Sequence, residues 1–140
     1  MLTIAFLATI TASCNAQIMK QQKDAEKLED KKELFIGKPL KKLLKEIGPE
    51  IKLVFASGDR TNEAASYMIF RFVDREGEKP YNKARKMPIG VRVMIKEKFE
   101  WDKTAKPVSE REKWTREDAL KYGNLTIVDI RVHGEEIASQ

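Results

Sequence analysis

Ser66-Tyr67-Met68-Ile69-Phe70-Arg71-Phe72-Val73-Asp74 is the stretch whose reading decides the fold. Side chains alternate across a β-strand, so Met68, Phe70 and Phe72 share one face, and Tyr67, Ile69 and Val73 share the other with Arg71. Apolar residues on both faces predict a strand covered on both sides. Three further runs read as strands. Ile51 to Ala56 alternates, with Ile51, Leu53 and Phe55 inward. Gly90 to Lys96 sends Val91, Val93 and Ile95 one way and Arg92, Met94 and Lys96 the other. Leu125 to His133 sets Val128, Ile130 and Val132 inward against Asp129, Arg131 and His133, and Gly134 closes it. Residues 57–63 read as a turn or loop, and a polar loop is expected from Asp74 to Pro88.

Two segments carry a helical pattern. Between Gly37 and Pro49, Leu40, Leu43, Leu44 and Ile47 recur at helical spacing, with Pro39 at the first helical position and Gly48-Pro49 as the stop. The outer face of this helix carries Lys38, Lys41, Lys42 and Lys45. Further on, Thr115-Arg116-Glu117-Asp118 resembles a capping box that opens a short helix through Ala119, Leu120 and Tyr122 to Gly123. Strands outnumber helices and the links are short or loop-like. The expected fold is α+β: an antiparallel sheet of about four strands with one or two helices packed on one face.

The chain has 140 residues, 41% of them hydrophobic and 35% charged, with a net charge of +5. That bounds it to one domain with a tail. The excess charge is mixed in sign rather than gathered into a basic stripe, so no nucleic-acid partner is expected. A single cysteine, Cys14, excludes an internal disulfide framework. No apolar run reaches the ~18 residues that a spanning helix needs.

Every charged residue lies at or after Lys20. Before it stand the apolar run Leu2-Thr3-Ile4-Ala5-Phe6-Leu7-Ala8 and the small residues leading to Cys14, the organisation of an export signal. Ile10-Thr11-Ala12-Ser13-Cys14 resembles a bacterial lipobox, with Thr11 where that pattern usually has Leu. The resemblance implies a signal over residues 1–13 and acylation of Cys14, by diacylglycerol on sulfur and palmitate-type acylation on the amine. More than one chain is what stable anchoring requires. Asn15, not Asp, follows the cysteine, which by the same resemblance implies the outer membrane, facing the periplasm. The alternative is simple secretion to the periplasm after a cut at Ala16. Residues 14–33 then read as a lipid anchor and charged tether. With only Ala25, Leu28 and the adjacent Leu34 as apolar positions, the tether is expected to be a solvated, partly helical spacer. Residues 34–140 form the single globular domain.

Gly37, with aliphatic residues between it and Gly48-Pro49, is similar to the helical motif of small outer-membrane lipoproteins of the SmpA/OmlA type. The family's Thr after the first Gly is absent here. That resemblance implies two helices packed on a three-stranded sheet and a role in outer-membrane β-barrel assembly.

No catalytic constellation is legible. His133 is the only histidine, and with Asp129 and Arg131 on the same strand face it reads as a solvated polar surface. No phosphate loop, His-Glu-x-x-His or nucleophile elbow occurs, so neither an enzyme nor a cofactor is expected. Two ligand candidates remain. Lys79, Lys83, Arg85 and Lys86 surround Tyr81 in the expected loop, a mixture suited to phosphates, acidic glycans or carboxylates. Trp101 and Trp114, with Phe99, flank an irregular stretch, suited to stacking on sugar or peptide, or to plugging the end of a small core. The leading expectation is a lipid-anchored, non-catalytic envelope protein that acts as a protein-interaction module. Its partners would be the membrane, through Cys14, and another envelope protein. The alternative is a module for an anionic ligand such as glycan or peptidoglycan.

Overall fold

A computed structural model describes residues 16–57, 66–101 and 106–137. Four strands, β1 (Leu53–Ser57), β2 (Ser66–Arg71), β3 (Gly90–Ile95) and β4 (Ile127–His133), form one antiparallel sheet in the order β1-β2-β3-β4. Among the described residues the helices are α1 (Glu26–Asp30), α2 (Leu40–Leu44), α3 (Arg75–Lys83) and α4 (Arg116–Tyr122), joined by short 3₁₀ turns. The chain is an α+β fold, as the strand alternation and the two helical patterns lead one to expect.

One face of the sheet carries the main core. Val54, Met68, Phe70, Val91, Val93, Ile95, Ile127 and Ile130 are buried there with Leu28, Phe35, Leu40, Leu43 and Tyr122 from the helical side. β2 and β3 present the residues their alternation demands. β1 does not. Its register sets Val54 opposite Phe70 and Ala56 opposite Met68, so Val54 and Ala56 face the core, and Leu53 and Phe55 face the other way. β4 also departs from simple alternation. A bulge beside Met94/Ile95 pairs Ile95 with Ile127 and Met94 with Asp129. The extra residue, Val128, is therefore turned out and 48% exposed.

The segment after Lys20 is not a solvated spacer. Met19, Ala25, Leu28 and Phe35 are buried in the same core as the sheet, and α1 packs against β4. Each irregular turn contributes one apolar side chain, which is why no continuous stripe marks the segment. Local polar bonds hold those turns. Asp24 accepts from the backbone N–H groups of Lys20 and Gln21 and pairs with Lys27 at 3.2 Å. Those contacts, led by the Lys27 bond, pull its carboxyl below the usual range. The packed unit thus reaches back to residues 18–19, and the boundary expected at residue 34 falls inside it.

The stop expected at Gly48 has another cause. α2 ends at Leu44, and Met19 pairs with Ile47 in a parallel bridge, its N–H donating to the Glu46 carbonyl and its carbonyl accepting from Gly48. A Cβ at Gly48 would lie 2.8 Å from the Met19 carbonyl oxygen. Glycine is needed there because two backbones touch.

The stretch expected as a polar loop contains a helix instead. Asp74 caps α3, its carboxylate accepting from Gly77 N–H at 2.7 Å, and Glu76 and Glu78 favour the first turn. α3 lies at one end of the sheet's second face. Glu78 reaches Arg71, Arg75 sits over Phe55, and the buried Leu53 and Tyr81 lie outside the main core cluster. α4 forms as the sequence leads one to expect, with Thr115 and Asp118 completing a reciprocal capping box.

Both sheet edges carry hydrogen bonds to neighbouring segments. Val54 N–H donates to the Glu112 carbonyl on the β1 side. On the β4 side Gly37 and Lys38 exchange bonds with Ile127, and the Glu29 carboxylate takes the Val132 N–H. Strand addition by another chain is thereby hindered at these positions.

Candidate functional site

Cys14 lies outside the described residues. The structure places the four cations expected around Tyr81 on the exposed side of α3 and just beyond it, whereas Tyr81 itself is buried. Lys79 pairs with Glu76 at 2.9 Å and Lys86 with Glu135 at 3.5 Å, leaving Lys83 and Arg85 exposed. The helix therefore separates the aromatic ring from the charges. Trp101 and Trp114 do come together. They stack at 6.4 Å, Trp114 sets its edge on Phe70 at 5.1 Å, and Trp101 meets Tyr122 at 5.1 Å. Both indoles are half-buried against the core, and Lys106, held by Asp118 at 2.5 Å, lies over Trp101. They plug one end of the core.

A different surface gathers side chains that the sequence left scattered. On the second face of the sheet the pairing gives three rows: Leu53–Arg71–Gly90–His133, Phe55–Ile69–Arg92–Arg131 and Ser57–Tyr67–Met94–Asp129. Among the described elements, α3 covers the first row. Phe55, Tyr67, Ile69, Arg92 and Met94 are half-buried in the other two. Arg92 stands at the centre. Arg131 is directly opposite it on β4, and Arg71 and His133 lie on its diagonals, roughly 7–8 Å away in sheet geometry.

The cations of this face differ in how they are neutralised. Arg71 donates to Glu78 at 2.9 Å and lies 4.9 Å from the Phe55 ring centre. Arg75 pairs with Glu112 and shares Glu78, and the Glu112 bond, then the Glu78 bond, hold its guanidinium above the ordinary value. Arg131 pairs with Asp129 at 3.0 Å, which also takes Lys32 at 3.1 Å. Arg92 lies 4.5 Å from the Tyr67 ring centre, and its Nε is buried with no hydrogen-bond acceptor. Among the described residues no carboxylate pairs with it. The Nε of Arg71 is buried and unmatched in the same way.

His133 completes the cluster. A Cβ at Gly90 would lie 2.4 Å from His133 Nε2, so the imidazole rests across the glycine. Only a residue without a side chain admits it. Burial, then the positive fields of Arg71 and Arg92, push the ring's pKa below its usual 6.5, so it is neutral at pH 7. Among the described residues no three His, Cys, Asp or Glu side chains converge as a metal-holding group. A separate cleft of about 250 Å³ lies between Lys52, Asp74, Val108 and Glu112. Its arginine, Arg75, is already engaged by Glu78 and Glu112.

The second face thus combines aromatic rings, a thioether and guanidinium groups on one sheet. The fold defines an α+β sheet domain with one face closed by helices and the other covered, among the described elements, by α3 at one end. No family model, curated protein or solved structure matches the chain. No helix among the described residues is long and apolar enough to cross a membrane.

Proposed function

We propose that this chain is a lipid-anchored, non-catalytic interaction module of the cell envelope that docks another envelope protein on the second face of its sheet. The observation that carries this reading is the composition of that face: Phe55, Tyr67, Ile69, Met94 and Arg92 are half-buried beyond the end covered by α3. Aromatic, Met and Arg side chains are the types enriched at protein interfaces. The core on the opposite face is complete without them. Support for the anchor comes from the lipobox-like Ile10–Cys14 sequence alone. Because Ile18 and Met19 already belong to the packed domain, an anchor at Cys14 would hold that domain within about 15 Å of its lipid, not on a long spacer.

Two experiments test the two halves. Metabolic labelling with an alkyne fatty acid should mark the wild-type chain and not Cys14→Ala. A labelled alanine variant ends the anchor reading. Affinity capture from envelope extracts should return a partner that is lost with Met94→Glu, a half-buried position on the docking face. A second reading, binding of glycan or peptidoglycan anions, draws on the exposed Lys83 and Arg85 beside Lys86. Changing Lys83, Arg85 and Lys86 together to Glu should leave partner capture intact under the first reading and abolish polysaccharide binding under the second.

A further inference from the structure

We propose that Arg92, on the second face of the sheet, forms a carboxylate-binding site that takes an aspartate or glutamate from a partner segment whose apolar neighbours rest on Tyr67, Ile69 and Met94. The inference rests on the reading of this face as a docking surface and names the chemistry that the surface accepts.

Charge balance selects the ligand. Arg71 and Arg75 are matched by Glu78 and Glu112, and Arg131 and Lys32 by Asp129 and Glu29. Among the described residues no carboxylate balances the charge of Arg92, and neighbouring His133 adds no positive charge at neutral pH. One negative charge closes that balance, as a carboxylate supplies. A phosphate monoester carries nearly two at pH 7 and would leave its second charge unmatched in a half-buried site.

Hydrogen bonding points the same way. A buried guanidinium N–H without an acceptor is costly, and Arg92 Nε is one. Arginine presents a planar fork that a carboxylate meets with two oxygens at once. The Arg92 guanidinium carbon lies over the Tyr67 ring, 4.5 Å from its centre, a cation–π contact that restrains the side chain. Arg71 Nε, on the diagonal, is buried and unmatched as well.

The mode of recognition follows from the edges. Val54 on β1 and Ile127 and Val132 on β4 already bond residues 112, 37–38 and Glu29, so an incoming segment finds these edge groups taken. It must be read through side chains on the face. Ile69 is the direct neighbour of Arg92, and Met94 pairs with Tyr67, so an acidic side chain on Arg92 would lie beside apolar ground. An acidic residue flanked by aromatic or aliphatic ones fits that pattern.

The test uses the uniformly ¹⁵N-labelled full chain, with the arginine Nε–H resonances followed by NMR during titration with 3-phenylpropanoate at constant ionic strength. The expected result is a saturable shift of Arg92 Nε–H, and a smaller one at Arg71, with a Kd on the order of millimolar for so small a probe. The matching alcohol, 3-phenylpropanol, should give no saturable shift at those resonances. Arg92→Lys, which keeps the charge and loses the fork, should weaken the carboxylate at least several-fold while its amide spectrum stays folded. Absence of a saturable shift in the wild-type chain overturns the proposal without recourse to any variant. Tighter binding of inorganic phosphate than of the carboxylate overturns it as well. Failure of the docking reading shows elsewhere, as partner capture that survives Met94→Glu. Capture lost in Met94→Glu but undiminished in Arg92→Gln removes the carboxylate site and leaves the docking face.

Discussion

Leu28→Ala separates a packed N-terminal segment from a solvated one. Leu28 is fully buried in α1 within the core that β4 closes. Truncating such a leucine removes its transfer free energy and leaves a cavity, costing about 2–5 kcal/mol. Taking about 3 kcal/mol, and roughly 3–5 °C per kcal/mol for a domain of this size, the melting temperature should fall by roughly 9–15 °C. Leu34, in the same segment and 54% exposed, is the internal control. Leu34→Ala should stay within about 0.5 kcal/mol of wild type. Urea unfolding of the full chain followed by tryptophan fluorescence gives both values, with an unchanged denaturant slope confirming that the same cooperative unit unfolds. Equal, small effects at Leu28 and Leu34 would refute the packing of residues 18–35 and restore a free tether.

Other consequences are as direct. His133 takes up a proton less readily in the folded chain than in the unfolded one, so stability should rise with pH from its folded pKa up to 6.5 and fall as pH drops through that window. His133→Asn should flatten that slope in urea midpoints, and Arg92→Gln should move the imidazole titration seen by NMR back toward 6.5. Gly90→Ala sets a methyl 2.4 Å from His133 Nε2. The imidazole must swing out, costing about 1–3 kcal/mol and raising the histidine pKa as its burial is lost. Thr115→Ala removes half of the α4 capping box and should cost about 0.5–2 kcal/mol in the same unfolding assay, with little effect on partner capture.

Much of the sheet was legible because β2 and β3 alternate cleanly and their neighbours agree. What escaped was information that alternation does not carry. β1 is apolar at Leu53, Val54 and Phe55 in succession, and only its register with Phe70 decides which side is inward. Val128 looked like a core residue until the bulge in β4 turned it out. α3 was hidden by Gly77 and Pro80 and by a lack of apolar spacing, although Asp74 with Glu76 and Glu78 was a usable start signal. The second face was the least readable of all. Arg71, Gly90, Arg92 and His133 come from three strands, and only the pairing register makes them neighbours. The cluster of His133, Asp129 and Arg131 was visible as a strand face, but not the glycine over which the imidazole lies, nor the arginine that no carboxylate among the described residues pairs with.

Docking on that face is tested most directly by site-specific photocross-linking in living cells. A photoreactive residue at Met94 lies on the second face, and one at Leu120, 75% exposed on α4, lies on a helix of the opposite side. The expected result is one discrete cross-linked protein from Met94 that disappears in Arg92→Gln, with none from Leu120. A discrete product from Leu120 and none from Met94 would contradict the assignment of the binding surface.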